Sequence, residues 1–208
     1  EQNLWRGHRI KAVDGTSAQM PDTGGNQRKY PQPSTQAVGC GFPVIQLVGL
    51  IDLIHGGWQE FVESSLRHSE ARALDQLLHC LQARDVLVAD RAFVSYETVC
   101  RLMAREVHFV GRNHQSRKRD FRRGTKLGYN ERLQVWRKPS WQPPGSGLTP
   151  EQWEQLPEEI AIRIIRTKGP GRDGKPTTRY IISTLVDAMS YPAEEVASLY
   201  VHRWEIEL

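Results

Sequence analysis

The stretch Asp85-Val-Leu-Val-Ala-Asp-Arg-Ala-Phe-Val-Ser-Tyr-Glu-Thr-Val-Cys-Arg-Leu-Met-Ala-Arg-Glu-Val-His-Phe-Val110 carries the order strand, helix, strand. Asp85 to Ala89 is an apolar run of strand length that delivers Asp90 at its end. Ser95 to Glu106 has its apolar residues, Val99, Leu102 and Met103, at helical steps, and Val107 to Val110 returns to strand. That alternation implies α/β layering, with helices covering a sheet.

Upstream, Ser69 is placed to cap a helix whose Ala73, Leu74, Leu77, Leu78 and Leu81 repeat every three or four residues. Phe42 to Ile54 is rich in Val, Ile and Leu, broken at Gly49 and closed by Gly56-Gly57, and fits one or two core strands. Pro21 to Ser34 is rich in Pro, Gly, Asn and Gln and predicts a surface loop. His8 to Val13 predicts a short strand ending directly at Asp14-Gly15, with a turn to follow.

Downstream, positive charge concentrates at Arg112, Arg117, Lys118, Arg119, Arg122, Arg123 and Lys126, against the single acid Asp120. Arg132–Val135 and Ile160–Ile165 have strand character, and Pro139 to Pro150 reads as a loop, so residues 113–176 form a β-rich insertion. Trp136, Trp141 and Trp153 fit anchors of its small core better than platforms for unpaired bases. Arg179 to Leu185 is again strand, and Pro192 opens a last helix. On that helix Tyr200, Arg203 and Glu207 fall at i, i+3 and i+7, which aligns phenol, guanidinium and carboxylate on one face.

The chain has 208 residues, enough for one domain with a buried core, and 38% of them are apolar. A net charge of +4 permits a polyanionic partner without demanding one. The three cysteines, Cys40, Cys80 and Cys100, are widely spaced and lack Cys-x-x-Cys pairing, which argues against a disulfide framework or zinc ribbon and for a reducing cytoplasm. No apolar run approaches the about 20 residues that span a bilayer. Asp22, Asp52, Asp120, Asp173 and Asp187 have no motif around them and are assigned surface or structural roles.

Two acids at strand ends, with a third on a helix beside Arg and Tyr, suit phosphodiester chemistry. Divalent ions held about 3.5–4 Å apart by a few carboxylates activate a nucleophile and stabilise a leaving oxygen. Taken singly, Asp14 is a turn former, Asp90 an ion-pair partner of Arg91, and Glu207 a solvated helix residue. Only their combination points to a site.

That combination, Asp14-Gly-Thr, Asp90-Arg-Ala-Phe and Tyr200-x-x-Arg203-x-x-x-Glu207, resembles the DDE transposases of the insertion-sequence-four type. Tyr30-Pro31 and Gly41-Phe42-Pro43 after the first acid are similar too, so the likeness runs over nearly the whole chain. The resemblance implies a ribonuclease-H-like mixed sheet flanked by helices, with the β-rich insertion before the last strand and helix. It implies Asp14, Asp90 and Glu207 as catalytic metal ligands for Mg2+ or Mn2+, as two ions, and Tyr200 and Arg203 as contacts to DNA phosphate. The basic residues from Arg112 to Lys126 become candidate DNA contacts.

The implied reaction is metal-dependent cleavage at transposon ends in double-stranded DNA followed by strand transfer to target DNA, by a protein that self-associates on DNA in the bacterial cytoplasm. Two other readings share these residues: a ribonuclease-H-like nuclease that cuts without strand transfer, and a non-catalytic DNA-binding remnant. Ala92 stands where the family has Gly, and the signature lysine, about seven residues beyond Glu207 on two further helical turns, falls past Leu208. With no initiator Met and Glu207 beside the chain end, the sequence reads as a catalytic-domain fragment that alone holds metal weakly and transposes nothing.

Overall fold

The computed structural model describes residues 4–113, 120–170 and 175–203. Its strands are β1 (Ile10–Gln19), β2 (Val44–Asp52), β3 (Gly57–Ser65), β4 (Val86–Ala89), β5 (His108–Arg112), β6 (Thr125–Gly128), β7 (Glu131–Arg137), β8 (Glu159–Pro170) and β9 (Pro176–Ser183). Its helices are α1 (Gly24–Lys29), α2 (Glu70–Leu77), α3 (Tyr96–Met103), α4 (Pro150–Glu154) and α5 (Ala193–His202). The strands form one mixed sheet in the order β3-β2-β1-β4-β5-β9-β8-β7-β6. The central strands β1, β4 and β5 run parallel, and the flanking pairs are antiparallel. This is the mixed α/β sheet flanked by helices that the ribonuclease-H-like resemblance implied.

Alternation along the strands sends side chains to two cores. Val13, Leu87, Ala89 and Phe109 face a cluster with Leu74 and Leu77 of α2 and Val99 and Leu102 of α3. Their neighbours Ile10, Val86, Val88 and Val110 face the opposite side, against Val196, Leu199 and Tyr200 of α5. The parallel strands are thus buried on both faces, which explains why Val86–Ala89 is apolar without a break.

The helix starts follow local chemistry. Ser69 accepts a hydrogen bond from Arg72 N at the start of α2, and Ser95 one from Thr98 N at the start of α3. Pro192 stands at the cap of α5. The expected loop over Pro21–Ser34 contains a short helix, α1, because Thr23 caps it through Asn26 N. Phe42–Ile54 is one strand, not two, and Gly49 is an interior residue of it. A Cβ there would meet the ring of Trp58 at 1.8 Å, so the glycine makes room for an aromatic ring from β3.

β1 also differs from expectation. It does not end at Asp14-Gly15 but continues to Gln19, because Asp14 to Gln19 pair with Gly49 to Val44 of β2. What ends near Asp14 is the parallel ladder with β4, whose last pair is Val13 with Ala89. Strands β6 to β8, from the stretch expected to be an insertion, extend the main sheet through β9, and among the described residues they form no separate sheet. Trp136 and Trp153 are buried as expected of core anchors, whereas Trp141 is 62% exposed.

Candidate active site

Asp14 and Asp90 follow directly on the last parallel pair, Val13 and Ala89. Neighbouring strands lie about 4.8 Å apart, so the two acids stand side by side where the β1–β4 pairing ends. By alternation Asp14 shares the face of Ile10, and Asp90 that of Val86 and Val88, which is the face covered by α5. α5 ends there, with Tyr200 in its last turn and Arg203 at its C-cap.

The contacts are specific. Arg203 Nη1 donates to Asp14 Oδ2 at 2.7 Å, while Gly15 N donates to Asp14 Oδ1 at 2.9 Å. Tyr200 OH donates to Asp90 Oδ1 at 3.2 Å, and Arg91 N donates to the same oxygen at 2.6 Å. The Arg203 guanidinium lies 5.6 Å from the centroid of the Tyr200 ring. Arg203 is 2% exposed and Tyr200 1%, so both point inward at the acids. Burial first, then the charge of Asp90, push the Tyr200 phenol up, while Arg203 and Arg112 pull it partly back. The phenol therefore keeps its proton and remains a donor at neutral pH.

Arg112 ends β5 half-buried, and its charge reaches Tyr200, which separates it from the rest of the basic run. Arg122 and Arg123 are exposed and share Asp120, at 3.1 and 3.5 Å, and Lys126 is exposed on β6. Glu207, Arg117, Lys118 and Arg119 lie outside the described residues.

A third acid reaches the site that the sequence reading passed over. Glu70, the first residue of α2, lies over Gly15 from the other side of β1: a Cβ on Gly15 would meet Glu70 Oε1 at 2.6 Å. Burial, and after it the charges of Asp14 and Asp90, push its carboxyl above the usual range. Gln46 Nε2 donates to Glu70 Oε1 at 3.2 Å, and Gln46 Oε1 is buried without a hydrogen-bond partner among the described residues. In sequence Glu70 looks like an ordinary acidic residue behind a serine cap. Its address depends on how α2 crosses β1 and β2, which no local pattern encodes.

These residues fit a hard divalent cation. The charges of Asp14 on β1 and Asp90 after β4 act on Glu70 of α2, Arg203 is the cation bonded to Asp14, and the amide bonded to Glu70, Gln46, keeps a buried oxygen without a donor among the described residues. The array is open: among the described residues the trio whose ligand atoms all lie within 4.8 Å is Glu60, His79 and Cys80, near the other end of α2. Nitrogen and sulfur there suit softer ions than Mg2+. An open oxygen array suits Mg2+, which keeps several waters.

Adjacent acids just past the last parallel pair of two central strands, faced by the end of α5, place the chain among α/β proteins that gather carboxylates on central strands. The chain belongs to the Transposase DDE domain family, which matches residues 5–208. It is similar to Transposase InsG for insertion sequence element IS4 of Escherichia coli (strain K12), with 24% identity over 98% of this chain. That alignment covers 43% of the relative, so the chain spans less than half its length.

Proposed function

We propose that this chain is the catalytic part of a DNA transposase that cuts double-stranded DNA at the ends of a mobile element and joins the freed 3'-hydroxyl to target DNA. Membership of the family supports DNA transposition as the process, and the name of the relative, a transposase, agrees with it. The observation that carries the finer reading is the pairing of Asp14 with Arg203 and of Asp90 with Tyr200, which joins the strand acids to the helix signature in one place.

Two Mg2+ or Mn2+ ions, held by Asp14, Asp90 and Glu207, would supply an activated water or hydroxyl and stabilise the leaving oxygen. The chain's own residues do the rest. Arg203 holds Asp14 in place and is positioned to meet a phosphate brought to the acids, since its planar fork suits phosphate oxygens. Tyr200 orients Asp90 by donating its one hydroxyl hydrogen to it, and meets the same phosphate as a donor only when DNA draws that hydrogen away from Asp90. Arg122, Arg123 and Lys126, exposed beside the sheet's far edge, follow the DNA backbone, as do Arg117, Lys118 and Arg119. Among the described residues no helix is long and apolar enough to cross a membrane, and bacterial cytoplasm with self-association on DNA is the proposed setting.

The test is cleavage of a labelled duplex carrying the DNA that borders the gene, with Mg2+ or Mn2+. The protein is used as these 208 residues and within its full reading frame. Metal-dependent cutting followed by joining to a plasmid by the protein in its full reading frame, both lost in Asp90→Ala, is the expected result. Cutting without joining would indicate a nuclease. Salt-dependent DNA binding with no cutting by either form would indicate a binding remnant.

A further inference from the structure

We propose that Glu70 and Gln46 are metal-holding residues of this centre, gripping the waters of a divalent ion from the α2 side while Asp14 and Asp90 face it from the α5 side. The inference rests on the reading of Asp14 and Asp90 as ligands and extends it to a part of the sheet outside the three-acid signature.

Three observations carry it. First, Glu70 is drawn over the one residue beside Asp14 that has no side chain, and a methyl group on Gly15 would stand 2.6 Å from its Oε1. Gly15 has no positive φ, so turn geometry does not call for glycine here; the close approach does. Second, among the described residues no cation pairs with Glu70. The hydrogen bond it accepts from Gln46 comes from a neutral amide, although two other carboxylates act on it. An acid placed against like charges without a cation is unfavourable unless something positive joins them. Third, Gln46 is 8% exposed, and Nε2 must face the Glu70 carboxylate, which leaves Oε1 as a buried acceptor with no donor. A buried acceptor left unmatched costs about 1–3 kcal/mol. A water bound to Mg2+ is a strong donor of the kind that oxygen lacks, and Mg2+ keeps such waters.

The β1–β4 ladder stops at Val13 and Ala89 while β1 stays paired with β2, so the sheet opens on the β4 side alone, and the charges of Asp14 and Asp90 reach Glu70 there. Glu70 also opens α2, where an acidic residue favours the helix dipole. That structural role alone would give no metal dependence.

The experiment is Mn2+ titration of the chain without DNA, followed by the electron paramagnetic resonance of free Mn2+, with thermal unfolding of the metal-free protein alongside. Glu70→Gln is expected to weaken Mn2+ binding by about tenfold or more, the usual loss for a residue that acts through a ligand, and to leave the metal-free unfolding midpoint no lower. Gly15→Ala, which keeps every acid but displaces the Glu70 carboxylate, is expected to weaken Mn2+ in the same direction. It decides the matter if Glu70→Gln does not fold. Asp90→Ala is the control for the centre itself. Binding lost in Asp90→Ala but unchanged in Glu70→Gln and Gly15→Ala would overturn the role of Glu70 while leaving the centre intact. Mn2+ binding that is absent from the unaltered chain, or indifferent to Asp90→Ala, would overturn both.

Discussion

Arg203 is buried with its guanidinium on Asp14, whose side chain is 26% exposed, so neither group is well solvated without the other. Removing the cation alone leaves a carboxylate beside Asp90 and Glu70, and breaking such a pair costs about 3 kcal/mol. Arg203→Met should therefore destabilise the chain by about that amount. Asp14→Asn in the same molecule should recover about 1–3 kcal/mol of it, as residues in contact do. Urea unfolding of the four members of the cycle measures this, and strictly additive losses would show that the pair does not act as a unit. At this scale the sequence was informative where spacing is geometry. Helical steps put Tyr200 and Arg203 together, and Asp90 follows the end of β4 as read, whereas Asp14 meets it because the parallel ladder, not β1, ends there. Glu70 and Gln46 were not legible, because the contact that gives them meaning is made between α2 and the β1–β2 hairpin.

Among the elements, β8 is joined to the start of α5 by one side chain. Arg163 is fully buried; Nε and Nη2 donate to Glu131 Oε2 on β7, and Nη1 donates to the carbonyls of Leu185 and Tyr191. Those carbonyls lie in the segment that leads from β9 to α5, so a residue of the inserted strands fixes where the signature helix begins. Arg163→Met should cost about 3 kcal/mol and raise amide exchange in residues 184–191 and α5 before it does so in β1. Uniform loss of protection would argue against this local role.

At the other side of the sheet, β1 and β2 are tied by Lys11 and Asp52, directly paired in register at 2.6 Å. Burial works to raise the Asp52 carboxyl, but Lys11, the amides of Ile54 and His55 and the His55 ring bring it down to about 2. A carboxyl whose folded pKa lies below its unfolded value of 3.8 adds stability above that pH and loses it as pH falls toward about 2. Asp52→Asn should flatten the stability profile across that window, measured by urea midpoints. The sequence assigned Asp52 only a structural part, and that part is a cross-strand pin. The missed strand β3 has a plain cause: its exposed positions give Gly57–Ser65 little apolar alternation to read.

Across the whole molecule, three distant segments meet in one aromatic cluster. His8 Nδ1 donates to Arg84 O at 2.7 Å and its Nε2 accepts from Tyr191 OH at 2.9 Å, with His108 edge-on at 5.0 Å between ring centroids. Burial, followed by His8 and Arg84, lowers the pKa of His108 from its ordinary 6.5. The folded chain then binds fewer protons there than the unfolded one, so stability falls as pH drops below about 6.5. The thermal midpoint should decline between pH 7.5 and pH 5 on the order of this titration, and His108→Gln should decline less. Equal declines would remove His108 as the cause. The joining of the inserted strands to the main sheet was beyond the sequence, since strand character says nothing about which edge a strand will find.

The ladder between β1 and β4 has a consequence for how this chain can change over generations. Ile10, Ala12, Val86 and Val88 are held inward by burial, and Asp14 and Asp90 ride on the same alternation one step beyond Ala12 and Val88. A one-residue slip would expose those apolar side chains and, in the same movement, turn the acids to opposite sides. Drift that keeps the protein folded thus keeps its two acids in step, so selection for stability alone proofreads their alignment even in copies whose chemistry is no longer used.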